Sequence, residues 1–323
     1  MRSIEIREKI APYTHVPGTP CLVPCSDWVI TPFPALLRVR GASDIPIGIT
    51  GPVKQFLVQM DLERDSVWIS GQAIEGCFRL QIQATFEGLF LTVRRAPKEG
   101  LLIGGQRLAA TEKILLASGG KVSLRKVCER LSLGNWKAQD WDLVRRRNDV
   151  REIVPPLFLL GQKTPAGASL QEGTAGLLDG KIDVFFRAAF SGVFVPHLHD
   201  PLHQGLHPEC DFSGDAMAIL GMAYQKIRKQ LIEEKGSGIR ILPGIAEYPV
   251  GRARLLSSVG LIYLEWSQGI IRRMIVEPFV DCEVTFAFQK EVASFRICGQ
   301  RVAAITAVSL LAGTAIIFDR FQK

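Results

Sequence analysis

Apolar and polar residues alternate with a two-residue period through much of the N-terminal part of the chain. The runs are Ser3-Ile-Glu-Ile-Arg, Lys54-Gln-Phe-Leu-Val-Gln-Met, Phe78-Arg-Leu-Gln-Ile-Gln-Ala and Phe90-Leu-Thr-Val-Arg-Arg. Successive side chains of a strand point to opposite faces, so this is the pattern of strands with one face buried. Turn signals separate the runs at Pro17-Gly18, Gly51-Pro52, Gly71, Gly76, Gly88 and Gly104-Gly105. Short strands about ten residues apart, with no helical stretch between them, predict an antiparallel β-sandwich. Trp28 and Trp68 read as core or sheet-face packing residues.

The period changes near Lys121. Ser123 to Leu131 and Ala138 to Arg147 carry helical spacing, and Val150 to Leu160 begins helically before Pro155-Pro156 forces a break or restart. Gln171 to Leu178 and Ile182 to Phe190 make shorter helical patches. Ser213 or Asp215 can cap a further helix, whose apolar stripe runs Ala216, Ile219/Leu220, Ala223, Ile227 and Leu231, with Gly236 closing it. From Ile239 strands return: Leu261 to Trp266, Ile271 to Val276, Cys282 to Phe288 and Ser294 to Cys298, with Ser267-Gln-Gly269 a turn between the first two. Val302 to Phe318 has no charge, but its β-branched residues and Gly313 predict two buried strands rather than a membrane span. The expected fold is α+β: an N-terminal antiparallel β-sandwich (1–120), a short helical layer (121–238) and a C-terminal β-domain (239–323). No internal repeat or low-complexity linker is present.

Composition narrows the function classes. Of 323 residues, 47% are hydrophobic and 22% charged, so a folded core is expected. The net charge of +7 is spread out; Arg145 to Arg147 and Arg272-Arg273 are its densest runs. Without a dense basic face with interleaved aromatics, nucleic acid is not an expected partner. The seven cysteines are odd in number and lack a metal-knuckle or small-scaffold spacing, as suits reduced, mostly buried thiols in a cytoplasmic protein. The N-terminal residues show no signal-peptide core.

Candidate chemistry gathers in Phe194 to Ile219. Four of the five histidines (His197, His199, His203, His207) precede Glu209, Cys210 and Asp211. Three readings are open. In the first, His197 and His199 share one face of a strand and hold zinc, with His203 or His207 and Cys210 or Asp211 completing a tetrahedron. In the second, Glu209 and Asp211 lie just before a helix N-terminus, whose partial positive charge favours an ionised general base. An inverting glycosidase needs a second carboxylic acid about 6.5–9.5 Å away. Glu172 is the candidate for it, His207 an orienting partner, and Trp136 and Trp141 flat faces for a sugar. In the third, the histidines are exposed polar residues of a Pro-rich loop. No P-loop, dinucleotide-binding or nucleophile-elbow motif is present.

Glu209-Cys-Asp-Phe-Ser-Gly-Asp-Ala216 aligns without a gap on the motif Asp-Gly-Asn-Phe-Gly-Gly-Thr-Ala that ends the catalytic barrel of glycoside hydrolase family 95, keeping Phe212, Gly214 and Ala216. A helix follows, then Ile241-Leu-Pro-Gly-Ile245. A strand pair comes next, Val259-Gly-Leu-Ile-Tyr-Leu-Glu-Trp266 with the turn glycine Gly269, and the close is Leu311-Ala-Gly-Thr-Ala-Ile-Ile-Phe. About a third of the chain resembles this inverting α-L-fucosidase family in the order of these pieces. The resemblance implies a sandwich, a helical barrel and a small β-domain, with a carbohydrate or glycoconjugate as ligand. Two departures stand out. Glu209 replaces the family's catalytic Asp, and Lys121 to Gly238 offers only 118 residues, where twelve barrel helices of ordinary length need well over 200. The expectation is a carbohydrate-active or carbohydrate-binding protein, an inverting glycoside hydrolase if it is active, with no cofactor beyond a candidate zinc. The alternative is a non-catalytic interaction or scaffold protein of a reduced glycosidase-like fold.

Overall fold

In the computed structural model, residues 3–123, 129–134, 140, 150–165, 216–236, 238–245 and 248–323 are described. Antiparallel sheets dominate, with two helices among the described residues, so the fold is a β-sandwich-rich α+β fold. The chain divides into two units.

One unit comprises Lys9–Arg125 and Lys137–Ala223. Its strands are β1 (Tyr13–Thr14), β2 (Cys21–Leu22), β3 (Val29–Phe33), β4 (Leu36–Val39), β5 (Ile45–Gly48) and β6 (Lys54–Asp61). β7 (Ser66–Gln72), β8 (Cys77–Thr85), β9 (Gly88–Arg95), β10 (Leu101–Ile103), β11 (Gln106–Leu108) and β12 (Lys113–Ser118) follow. They form two six-stranded sheets, ordered β1-β6-β7-β8-β9-β12 and β11-β10-β5-β4-β3-β2. The alternation read from the sequence sets their faces. Val58, Met60, Val67, Ile69, Leu80, Ile82, Leu91 and Val93 are buried, while residues between them, such as Arg79 and Arg94, face solvent.

Helix α1 (Val150–Lys163) runs straight through Pro155 and Pro156, where a break was expected. Each proline removes one backbone hydrogen bond and costs about 3 kcal/mol in a helix interior. Ile153, Val154, Leu157, Phe158, Leu159 and Leu160 are all buried, at about 1.5–3 kcal/mol per side chain. Burial therefore outweighs the lost bonds.

The other unit joins Met1–Glu8, Lys126–Trp136 and Tyr224–Lys323. Helix α2 (Ala216–Leu231), which enters this unit at Tyr224, follows the predicted stripe, with Leu220, Ala223, Ile227 and Leu231 fully buried, and Arg228 and Lys229 in its last turn suit the negative end of its dipole. Gly236 does not close it. The helix ends at Leu231, and β14 (Ile232–Lys235) pairs with β15 (Gly238–Ile241) through a tight turn in which Gly236 takes φ +58°. Gly suits both roles because either needs positive φ.

The expected helix from Ser123 to Leu131 is also corrected at its C-terminal end, since Arg130–Ser132 is strand β13. Pairing with β16 (Val250–Leu256) overrides the local helical spacing there. β17 (Gly260–Ser267) and β18 (Ile270–Pro278) make the expected hairpin around Gly269. β19 (Cys282–Ala287), β20 (Ser294–Ile297), β21 (Gln300–Ala303), β22 (Ala307–Leu310) and β23 (Ile316–Gln322) complete the unit. The uncharged stretch from Val302 to Phe318 is thus divided between strands, with Gly313 at φ +75° between the last two. No described helix is long and apolar enough to cross a membrane.

The strands form a seven-stranded sheet, β13-β16-β17-β18-β23-β20-β21, and a four-stranded one, β14-β15-β19-β22, in which β15 and β19 run parallel. Phe286 of β19 meets Phe318 of β23 edge-on at 5.3 Å between ring centroids. Such geometry adds about 0.5–1.5 kcal/mol beyond area burial. Trp266 is 1% exposed and donates from Nε1 to the Tyr248 carbonyl at 2.8 Å, so its one polar atom is satisfied in the core.

Candidate functional site

Every site residue expected from the sequence lies outside the described residues: Glu172, Glu209 and Asp211 as catalytic groups, His207, Trp136 and Trp141 as substrate contacts, and His197, His199 and His203 as zinc ligands. Among the described residues, the second unit carries a group of depressions where the N-terminal segment Ser3–Glu8 lies over the seven-stranded sheet.

The outer face of that sheet is charged because the strand period puts its apolar partners inside. Arg252 pairs in register with Glu265, Glu265 with Arg273, Arg273 with Asp319, and Asp319 with Arg296. The row alternates in sign across five strands. Arg252 Nε reaches Glu265 Oε1 at 3.2 Å, and Arg273 Nη2 reaches Oε2 of the same carboxylate at 3.2 Å. Arg296 grips Asp319 with two bonds of 2.8 and 3.0 Å, and these hold the Asp319 carboxyl below the usual range against a smaller opposing effect of burial. One row away, the Tyr263 hydroxyl donates to Glu277 at 3.0 Å. Burial first, then that bond and the Glu277 charge, raise the Tyr263 phenol above its ordinary value.

The N-terminal segment keeps its predicted alternation of burial, with Ile4 buried and Ser3 and Glu5 exposed, but forms no strand. Its anchors are made at its two ends. Arg130 Nη2 donates to the Glu8 carbonyl at 2.8 Å, Ser132 Oγ donates to Glu8 Oε1 at 2.8 Å, and Arg273 Nη2 reaches the Ser3 carbonyl at 3.4 Å. Ile275, on the outer face, is 3% exposed and lines one hollow together with Ile4 and Ile6.

Glu8 is the group that gives the groove chemical interest. It is 7% exposed, and its Oε2 is buried without a hydrogen-bond partner among the described residues. An unmatched buried acceptor costs about 1–3 kcal/mol, more when charged. Glu8 lines two depressions, of about 610 and 330 Å³. Ser3, Arg7, Arg252, Glu265, Arg272 and Arg273 line the first, and Ser132, Trp266 and Arg272 are among the residues lining the second. Glu265 has both oxygens engaged by arginines, so it orients those guanidiniums and offers a ligand little itself. Beside the arginine donors of the groove there is therefore one buried, unmatched carboxylate oxygen.

Sequence reasoning passed over Glu8, which looks like one charge in an alternating segment, and over Arg130 and Ser132, hidden in a helical-looking stretch. The alternation from Ser3 to Arg7 was the available signal: it called for a sheet partner that the local sequence does not supply. No protein-family model and no curated protein matches the chain.

Proposed function

We propose that the chain is a carbohydrate-binding relative of the inverting fucosidase-type glycoside hydrolases. The observation that carries this reading is Glu8, a buried carboxylate whose Oε2 lacks a partner among the described residues, beside a groove lined by arginines. A sugar hydroxyl donates and accepts at once, so neighbouring hydroxyls can donate to Glu8 Oε2 while accepting from Arg252 or Arg272. The resemblance from Glu209 to Pro278 points to the same ligand class. It also makes Glu209 and Asp211 general-base candidates and Glu172 the acid candidate should hydrolysis occur. Zinc at His197, His199 and His203 is a separate proposal, tested by elemental analysis of the purified protein.

A second reading has its own support. The Arg252–Glu265–Arg273 network is closed on itself, as a purely structural face would be, and this favours a non-catalytic scaffold. A glycan-array screen of the intact protein, with chromogenic glycosides alongside, separates the two. Saturable binding to a glycan that Glu8→Gln weakens about tenfold, the loss of one good hydrogen bond to a charged group, supports the carbohydrate reading. Binding to no glycan, with every glycoside left intact, supports the scaffold.

A further inference from the structure

The outer face of the sandwich unit carries a second, different feature. Arg64, Trp68, Arg79, Gln81, Arg94 and Arg95 line a shallow depression of about 510 Å³. The four arginines are exposed. Arg79 and Arg95 stand directly opposite each other on β8 and β9, and like charges in that relation repel. Among the described residues no carboxylate lies within ion-pair distance of Arg79, Arg94 or Arg95; Asp61 reaches only Arg64, at 3.9 Å. Such a cluster of like charges raises the local potential and attracts an anion.

The remaining polar groups agree. Trp68 is 8% exposed, and its Nε1–H is buried without an acceptor among the described residues. Indole can only donate. Gln81 is buried and accepts from Arg94 Nε at 2.7 Å through its carbonyl oxygen, which leaves an NH2 donor. The uncommitted side-chain groups of the depression are therefore mainly donors, which favours a ligand rich in acceptors. Guanidinium forks match the paired oxygens of sulfate and phosphate groups. The Arg79 guanidinium lies 4.3 Å from the Trp68 ring centroid and covers that ring, so no open aromatic platform remains for stacked bases.

We propose that this depression binds the oxyanion of a sulfated or phosphorylated sugar. The oxyanion follows from the donors alone; only the sugar rests on the carbohydrate reading above. The test is calorimetric titration of the full chain at about 50 mM salt, where phosphate contacts are strong. The probes are galactose 6-sulfate, glucose 6-phosphate, unmodified glucose and a short single-stranded RNA. The expected result is saturation by at least one charged sugar and none by glucose, the tighter of the two charged sugars identifying the group recognised. Arg94→Gln should weaken binding roughly tenfold, as for one charge-assisted contact removed. Arg95→Gln, at the exposed strand end, gives the same readout should Arg94→Gln disturb the Gln81 contact and the fold. Saturation by neither charged sugar, or unchanged affinity in both variants, overturns the proposal; tighter binding of RNA overturns the assignment to a sugar. Glu8→Gln separates the two readings, because it weakens neutral-glycan binding at the groove and leaves oxyanion binding here intact.

Discussion

Glu129 ties helix α2 to the end of β16, and its removal should be among the most damaging single changes in the chain. Its side chain is 4% exposed and accepts three hydrogen bonds: from Tyr224 Oη at 2.6 Å, from Arg228 Nε at 3.1 Å and from the Leu256 amide at 2.9 Å. Burial by itself disfavours the charged Arg228 guanidinium, yet the Glu129 charge prevails and holds Arg228 above its ordinary value. Glu129→Ala removes the acceptor of these bonds and leaves a partly buried cation short of its main counter-charge. Removing one partner of a buried pair costs about 3–5 kcal/mol, and we expect about 4 kcal/mol here because Glu234, 3.4 Å from Arg228, keeps part of the compensation. Glu129→Gln keeps the shape and one acceptor, so it should cost roughly half as much. Replacing both charges, as Glu129→Leu with Arg228→Met, should recover most of the loss, since apolar packing substitutes well for a buried pair. The assay is urea unfolding followed by hydrogen exchange in peptides covering 224–231 and 250–267, which reports on this unit by itself. A Glu129→Ala protein within about 1 kcal/mol of wild type would falsify the argument. So would a double variant no more stable than the single one.

Three further outcomes follow from backbone and burial. Gly260 takes φ +147°, and a β-carbon there would sit 2.1 Å from the Glu277 carbonyl oxygen, so Gly260→Ala should destabilise the β17–β18 hairpin by about 3 kcal/mol or more; a thermal melt shifted by less than about 2 °C would count against it. Burial, and then the neighbouring Asp65 charge, push the Cys25 thiol up to about 12, with Lys163 opposing. The folded thiol therefore keeps its proton where the unfolded one loses it. Stability should be intact below about pH 9 and fall as pH rises towards 12, by at most about 1.4 kcal/mol per pH unit for this group. At pH 8 iodoacetamide should modify exposed Cys298 and spare buried Cys21 and Cys25; equal rates would contradict the burial argument.

The strands were legible wherever a two-residue period met a solvated face. β6, β8, β9, β17 and β18 lie where the alternation placed them, because one buried face per strand writes itself directly into the order of residues. Elements decided by a distant partner were not legible. Arg130–Ser132 follows a stretch with helical spacing in its sequence, yet its strand partner lies some 120 residues away at Arg252–Arg254. Pro155 and Pro156 announce a break that only the burial of six apolar neighbours can overrule, and that burial is invisible before the fold exists.

The candidate groove was illegible for the same reason in sharper form. Arg252, Glu265, Arg273, Asp319 and Arg296 each read as a lone charge on the wet face of a strand, and nothing local distinguishes them from solubilising residues. Register turns them into a row of alternating sign, and that row gives the N-terminal segment a polar surface to cross. Once Arg130 and Ser132 fasten Glu8 beside that surface, one carboxylate oxygen is left buried and unmatched among arginines. A structural face would have no reason to keep that oxygen, since Gln or Met at position 8 would fill the space at lower desolvation cost. Its retention is the physical ground for looking to a ligand with hydroxyl donors.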